Sequence, residues 1–126
     1  MDETNVNRLR KTQAPVALLT LQTALTQYVE DVNARLQAGL AVLQTQAGLE
    51  VLAPEKKVAL LRLSLTLENH IHYAQFIKRR NEVQSGVIYV RASHDGMPAI
   101  LFSDFPHPNV EVSYQDASKR LLNASF

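Results

Sequence analysis

The stretch from Pro54 to Arg80, PEKKVALLRLSLTLENHIHYAQFIKRR, decides how this chain is read. Two readings compete for it. Leu61, Leu63, Leu65 and Leu67 alternate with polar residues, the period of a half-buried strand. Against that, Pro54 and Glu55 suit the first turn of a helix. Lys78, Arg79 and Arg80 suit its last turn, where cations meet the negative end of the macrodipole. Length and flanking signals together favour one helix over 54–80. On a helical projection it has two apolar faces. One is Leu60, Leu63, Leu67, Ile71 and Ala74. The other is Val58, Leu61, Leu65 and Phe76, with His72 among them. A helix that is apolar on two sides has to be covered on both.

Upstream, a first helix is expected from Pro15, a favoured first-turn residue, to the neighbourhood of Gly48, a favoured residue just past a helix end. Leu18, Leu21, Leu25, Tyr28, Val29, Val32, Leu36, Leu40, Leu43 and Ala47 share an arc about 120° wide on such a helix. Its opposite face is mostly Thr, Gln and Asn, with Glu30 and Asp31 the main charges. Downstream the pattern turns strand-like. Val87–Ala92 and Ala99–Phe102 flank the turn-rich Ser93-His94-Asp95-Gly96 and predict a hairpin. Val110–Tyr114 alternates as a third strand, and Asp116 is placed to cap a last helix holding Leu121 and Leu122.

The expected fold is therefore α+β: a long antiparallel helical hairpin, then a small antiparallel β-hairpin or three-stranded sheet, then a short C-terminal helix. A single domain over 1–126 is expected, with 1–13 as a flexible polar tail. The 126 residues and 46% hydrophobic content support a core that needs no staple. With 13 basic and 12 acidic residues there is no global field to attract a polyanion. The absence of cysteine excludes disulfides, thiolate metal sites and cysteine nucleophiles. Residues 1–13 carry both charge signs, unlike a signal peptide. Residues 12–29 are uncharged but hold three Gln and four Thr, a poor membrane span. A cytoplasmic protein without membrane contact is the expectation.

Two helices of roughly 50 Å and roughly 40 Å exceed the diameter of a compact chain of this length, on the order of 35 Å. The projecting leucines require cover. Self-association, most simply a symmetric dimer, supplies it; a helix broken at Ala38-Gly39 is the alternative. The residues expected in that contact are Leu36, Leu40, Leu43, Val58, Leu61, Leu65 and Phe76. On this reading Leu61→Asp or Leu65→Asp separates the subunits and leaves them folded.

Chemistry-bearing clusters are few. Lys78-Arg79-Arg80 is the densest basic run and the candidate phosphate or nucleic-acid contact, although no interleaved aromatic platform accompanies it. On a helix, His70 and His72 point about 160° apart and share no metal; on a strand they share a face. His94, Asp95, Asp104 and His107 lie in loops, with Ser113 and Tyr114 nearby in sequence, but the spacing matches no hydrolase, zinc-protease or nucleotide-binding motif. No metal or other cofactor is expected. The functional expectation is a non-enzymatic interaction or assembly protein that self-associates or docks on an unidentified protein. A nucleic-acid accessory protein and a small hydrolase or metal enzyme on the loop histidines are its rivals.

Overall fold

A computed structural model describes residues 3–45, 48–53, 59–102 and 110–125. The chain opens with one long helix, α1 (Glu3–Leu36), and continues through seven strands: β1 (Ala41–Gln44), β2 (Gly48–Leu52), β3 (Ala59–Leu65), β4 (Ile71–Ile77), β5 (Glu82–Arg91), β6 (Ala99–Phe102) and β7 (Glu111–Val112). A short helix, α2 (Tyr114–Asn123), ends it. The strands form one antiparallel sheet in sequence order, each pairing with the next. The fold is α+β, but the helical hairpin followed by a three-stranded sheet is overturned: there is one long helix before a seven-stranded sheet.

The expected second helix is the β3–β4 hairpin. Leu61 and Leu63 point into the core with Ile71 and Tyr73, while Arg62, Ser64, His72 and Ala74 point away. Thr66–His70 reverses the chain. Asn69 adopts φ 66°, a left-handed conformation that Asn tolerates better than most residues, and the Thr66 hydroxyl accepts the His70 amide at 3.1 Å. Leu63 and Ile71 of one helical face and Leu61 and Leu65 of the other share the inner face of the sheet, because residues two apart lie about 200° apart on a helix and on the same side of a strand, whereas Ala74 and Phe76 fall on the opposite face.

The first helix also ends earlier than expected, at Leu36. Gln37 and Gly39 both take positive φ, 50° and 67°, and the chain turns away from the helix axis. The Asn33 side chain clamps that turn, donating to the Leu40 carbonyl at 2.9 Å and accepting the Leu40 amide at 2.8 Å. Leu40 is thereby pressed into the core, and Leu43 lies on β1. At the other end α1 begins at Glu3, with Pro15 inside it. The Arg10 guanidinium donates to the Glu68 carbonyl at 3.2 Å. Gln13 is buried and pairs with Ser93, accepting its amide at 2.8 Å and donating to its carbonyl at 2.6 Å.

Both helices lie on one face of the sheet. Ala14, Ala17, Leu18, Leu21, Leu25, Val29 and Val32 of α1, with Ala117, Leu121 and Leu122 of α2, pack against the inward residues of β2 through β6. The stripe from Leu18 to Val32 is therefore core. Ser113, not Asp116, caps α2: its hydroxyl accepts the Asp116 amide at 3.0 Å. The Tyr114 hydroxyl donates to the Pro98 carbonyl at 2.6 Å. At the far end of α2 the Ser125 hydroxyl donates to the Phe76 carbonyl at 2.8 Å and the Lys78 amide to the Ala124 carbonyl at 2.9 Å. So α2 is tied to β6 at its start and to β4 at its end. Among the described residues, no helix is long and apolar enough to cross a membrane.

Candidate functional site on the open face of the sheet

Strand alternation sends every second side chain to the face that neither helix covers. The register places Leu43, Glu50, Arg62, Ala74 and Ser85 in one row across that face, with Ser64, His72 and Val87 in the next and Phe76 opposite Val83 at one end. Tyr89 and Leu101 pair at the other end. Val83 is 63% exposed, Leu43 48% and Tyr89 45%. Phe76, Val87 and Leu52 are half-buried.

The charges on this face are confined to its flanks and neutralised there. Arg62 on β3 meets Glu50 on β2 at 3.1 Å. Arg91 on β5 reaches across β6 to Glu111 on β7 at 2.9 Å, over buried Leu101. Between these pairs, the outward residues His72, Ala74 and Phe76 on β4 and Val83, Ser85, Val87 and Tyr89 on β5 include no charge; Arg91 follows only at the end of β5. Solvated sheet faces ordinarily carry polar and charged residues in these positions.

His70 anchors one corner. Its Nδ1 accepts the Val90 amide at 3.0 Å, and its ring stands edge-on to Tyr89 with centroids 4.9 Å apart. Burial, and then the Arg10 guanidinium, hold its pKa below 6.5, with Glu68 pulling the other way. The ring is held as the neutral tautomer with its proton on Nε2. His72 lies nearby on β4, but Nδ1 of His70 is already engaged. Among the described residues, no group of three or more His, Asp or Glu side chains is placed to hold a metal ion.

The residues singled out for self-association are dispersed. Leu43 and Phe76 lie on the open face. Leu36, 64% exposed, is the last residue of α1. Leu65 is half-buried against the core, while Leu40 and Leu61 belong to it. Val58 lies outside the described residues. Lys78, Arg79 and Arg80 form the β4–β5 turn with Asn81, whose φ is 52°. They are exposed, and Arg80 pairs with Glu82 at 3.8 Å. Asp95 sits in the β5–β6 turn, its carboxylate held below the usual range by hydrogen bonds from the Ser93 hydroxyl and the Met97 amide. Burial pushes the Tyr114 hydroxyl above its ordinary pKa. Asp104 and His107 lie outside the described residues. Ser113 and Tyr114 are engaged as the helix cap and the Pro98 tie. The uncharged outer run of β4 and β5 went unread because those outward positions only exist once 71–77 is a strand. The absence of charge from 71 to 77 and from 83 to 90 was the available signal.

No family model, no curated protein and no solved structure matches this chain. The fold and its surface define the class that can be stated: an α+β protein whose antiparallel sheet carries both described helices on one side and, among the described residues, no helix on the other.

Proposed function

We propose that this is a non-enzymatic, cytoplasmic interaction protein that self-associates by packing the open faces of two sheets against each other. The observation that carries the reading is the charge-free outer surface from His72 to Phe76 on β4 and from Val83 to Tyr89 on β5, with its flanking charges already paired within the chain. A second copy presents the same neutral centre and the same satisfied rim, so no charge is stranded when the faces meet. A two-fold arrangement is the simplest way for one patch to bind itself.

The area supports it. Seven strands at about 4.8 Å spacing and roughly 20 Å in length give a face on the order of 600 Å² in plan. The side-chain relief enlarges this toward the about 800 Å² that each partner contributes to a standard interface. Two sheets packed in this way lie about 10 Å apart, their strands within about 30° of each other. His72, Ala74, Ser85 and Val87 form the middle, with Phe76 and Val83 side by side at one end and Tyr89 at the other.

Light scattering on the purified chain is expected to give twice the 14.1 kDa chain mass. Val87→Lys in the middle of the contact and Val83→Lys at its end each bury a cation there and are expected to give monomers with unchanged far-UV circular dichroism. A monomeric wild-type chain at high micromolar concentration, or lysine variants that remain dimeric, rejects the proposal.

A further inference from the structure

The side of α1 that faces away from the sheet carries no charge from Thr12 to Val29. Thr12, Pro15, Val16, Leu19, Thr23 and Gln27 are exposed along it, Val16 at 41% and Leu19 at 60%. The solvated face of a surface helix ordinarily carries charged residues. Three hydroxyls here are already engaged within the helix. Thr20 donates to the Val16 carbonyl at 2.8 Å, Thr23 to the Leu19 carbonyl at 3.0 Å and Thr26 to the Gln22 carbonyl at 2.8 Å. Covering these threonines leaves none of the three donors without an acceptor.

Charge resumes at both ends of the run, with opposite sign. Arg8 and Lys11 are exposed before it, and Glu30 and Asp31 after it. Among the described residues these four side chains enter no ion pair. Lys11 has a like charge, Arg8, one turn back on the helix. Asp31 has Arg35 one turn on and shares a cleft with Lys119 of α2. Glu30 has no cation at the neighbouring positions 26, 27, 33 and 34. A basic end, an uncharged middle and an acidic end complement a copy of themselves in one direction only. Two such helices paired antiparallel about the midpoint of the run bring Lys11 of each level with Glu30 of the other. Paired in parallel, like charges meet at both ends.

We propose that the outer face of α1 pairs antiparallel with α1 of a second copy of this chain, with Leu19 and Thr23 at the centre and Lys11 against Glu30 at each end. The uncharged run is roughly 27 Å long at 1.5 Å per residue. With a strip about 10 Å wide, each copy contributes on the order of 270 Å² in plan, about a third of its share of a standard interface. The contact is therefore weak and forms in concentrated protein. It lies on the opposite side of the molecule from the open sheet face and stands independently of it; only the joining of sheet-paired dimers through α1 rests on that reading as well.

Sedimentation equilibrium over a range of concentrations tests the proposal. The Val87→Lys chain, which lacks the sheet contact, is expected to pass from one chain mass when dilute toward two at about 1 mM, and wild-type dimers to join in the same range. Adding Leu19→Asp to that chain is expected to hold it monomeric throughout, with far-UV circular dichroism unchanged. Lys11→Glu and Glu30→Lys, each added to the Val87→Lys chain, are expected to weaken pairing about tenfold. An equimolar mixture of those two variants is expected to recover it, because opposite charges then meet at both ends. A Val87→Lys chain still monomeric at about 1 mM, pairing that survives Leu19→Asp, or a mixture that pairs no better than either variant alone overturns the proposal. Failure of the sheet reading shows separately, in the masses of the dilute chains, and changes none of the outcomes at Leu19, Lys11 and Glu30.

Discussion

The two faces of the β3–β5 sheet are built from adjacent residues and obey opposite rules. On the inner face Leu61, Leu63, Ile71, Tyr73, Ile88 and Val90 are enclosed by α1 and α2. On the outer face Ser64, His72, Ala74, Val87 and Tyr89 occupy the intervening positions and retain solvent contact. The inner face is continuous hydrocarbon. The outer face is only partly apolar, and its charged side chains on these strands, Arg62 and Arg91, are each paired with a glutamate. The first is the composition of a core that never opens, and the second suits a surface that is covered by association. One residue of shift along a strand carries a side chain from one regime to the other.

The largest effect expected from breaking this distinction is at Leu61, which is fully buried. Truncating a buried leucine costs about 2–5 kcal/mol, and an unpaired carboxylate in the same place adds several more. That sum reaches the about 5–15 kcal/mol total stability of an ordinary domain. Leu61→Asp is therefore expected to abolish the cooperative unfolding transition, where a helical reading expects a folded monomer. Val83→Asp on the outer face is expected to leave the monomer's stability within about 0.5 kcal/mol. Thermal melts of the two variants make the comparison; a folded Leu61→Asp chain would show that β3 faces the other way.

A smaller contrast lies on β5. Gly86 sits inward beneath Tyr73, and an added Cβ would stand 2.8 Å from the ring Cε1 as well as crowding the hydroxyl. Buried Tyr73 has little room to yield, so Gly86→Ala is expected to cost about 1–3 kcal/mol. Its outward neighbour Ser85→Ala is expected to change stability by less than about 0.5 kcal/mol. Urea midpoints read both. Equal midpoints would mean that the Tyr73 ring swings aside freely and that the inner face is looser than its burial implies.

The same alternation explains what the sequence disclosed and what it hid. The stripe from Leu18 to Val32, the 93–96 turn between two strands and the terminal Leu121-Leu122 helix are local patterns, and each element is present. The β3–β4 hairpin was hidden because two signals of opposite meaning overlie each other. Leu61, Leu63 and Leu65 carry the strand period, while Pro54 and the basic run at 78–80 imitate helix ends. The basic run is in fact a hairpin turn closed by Asn81, which takes a positive φ. The end of α1 was equally obscure, since Leu36, Leu40 and Leu43 continue the helical spacing. What stops the helix is the Asn33 clamp on Leu40, a contact seven residues apart that periodicity does not register. The appearance of excess apolar surface followed from these misreadings. Folded as strands, the leucines of β3 need one cover, and α1 and α2 provide it. The candidate site was legible only in part: Leu43 and Phe76 lie on the open face, but the charge-free pairing of β4 with β5 requires the register.

The smallest expected effect is at the corner where the two faces meet the β3–β4 turn. His70 accepts the Val90 amide through Nδ1, and protonating that nitrogen removes the acceptor and leaves a backbone donor of β5 unpaired. Burial and Arg10 both lower its pKa in the folded chain from 6.5, so the unfolded chain binds the proton more readily. Stability contributed by neutral His70 is then complete above 6.5 and is lost as pH falls through the lower, folded value. The melting temperature is expected to decline from about pH 7.5 to about pH 5. His70→Gln, whose amide oxygen can still accept from Val90, is expected to decline less steeply over the same interval. His72, on the open face of β4, is the internal comparison, because its replacement by Gln should leave the slope set by His70 intact. If the slope instead vanished in His72→Gln and persisted in His70→Gln, the pH-sensitive contact would belong to the open face rather than to the hinge between β3 and β4.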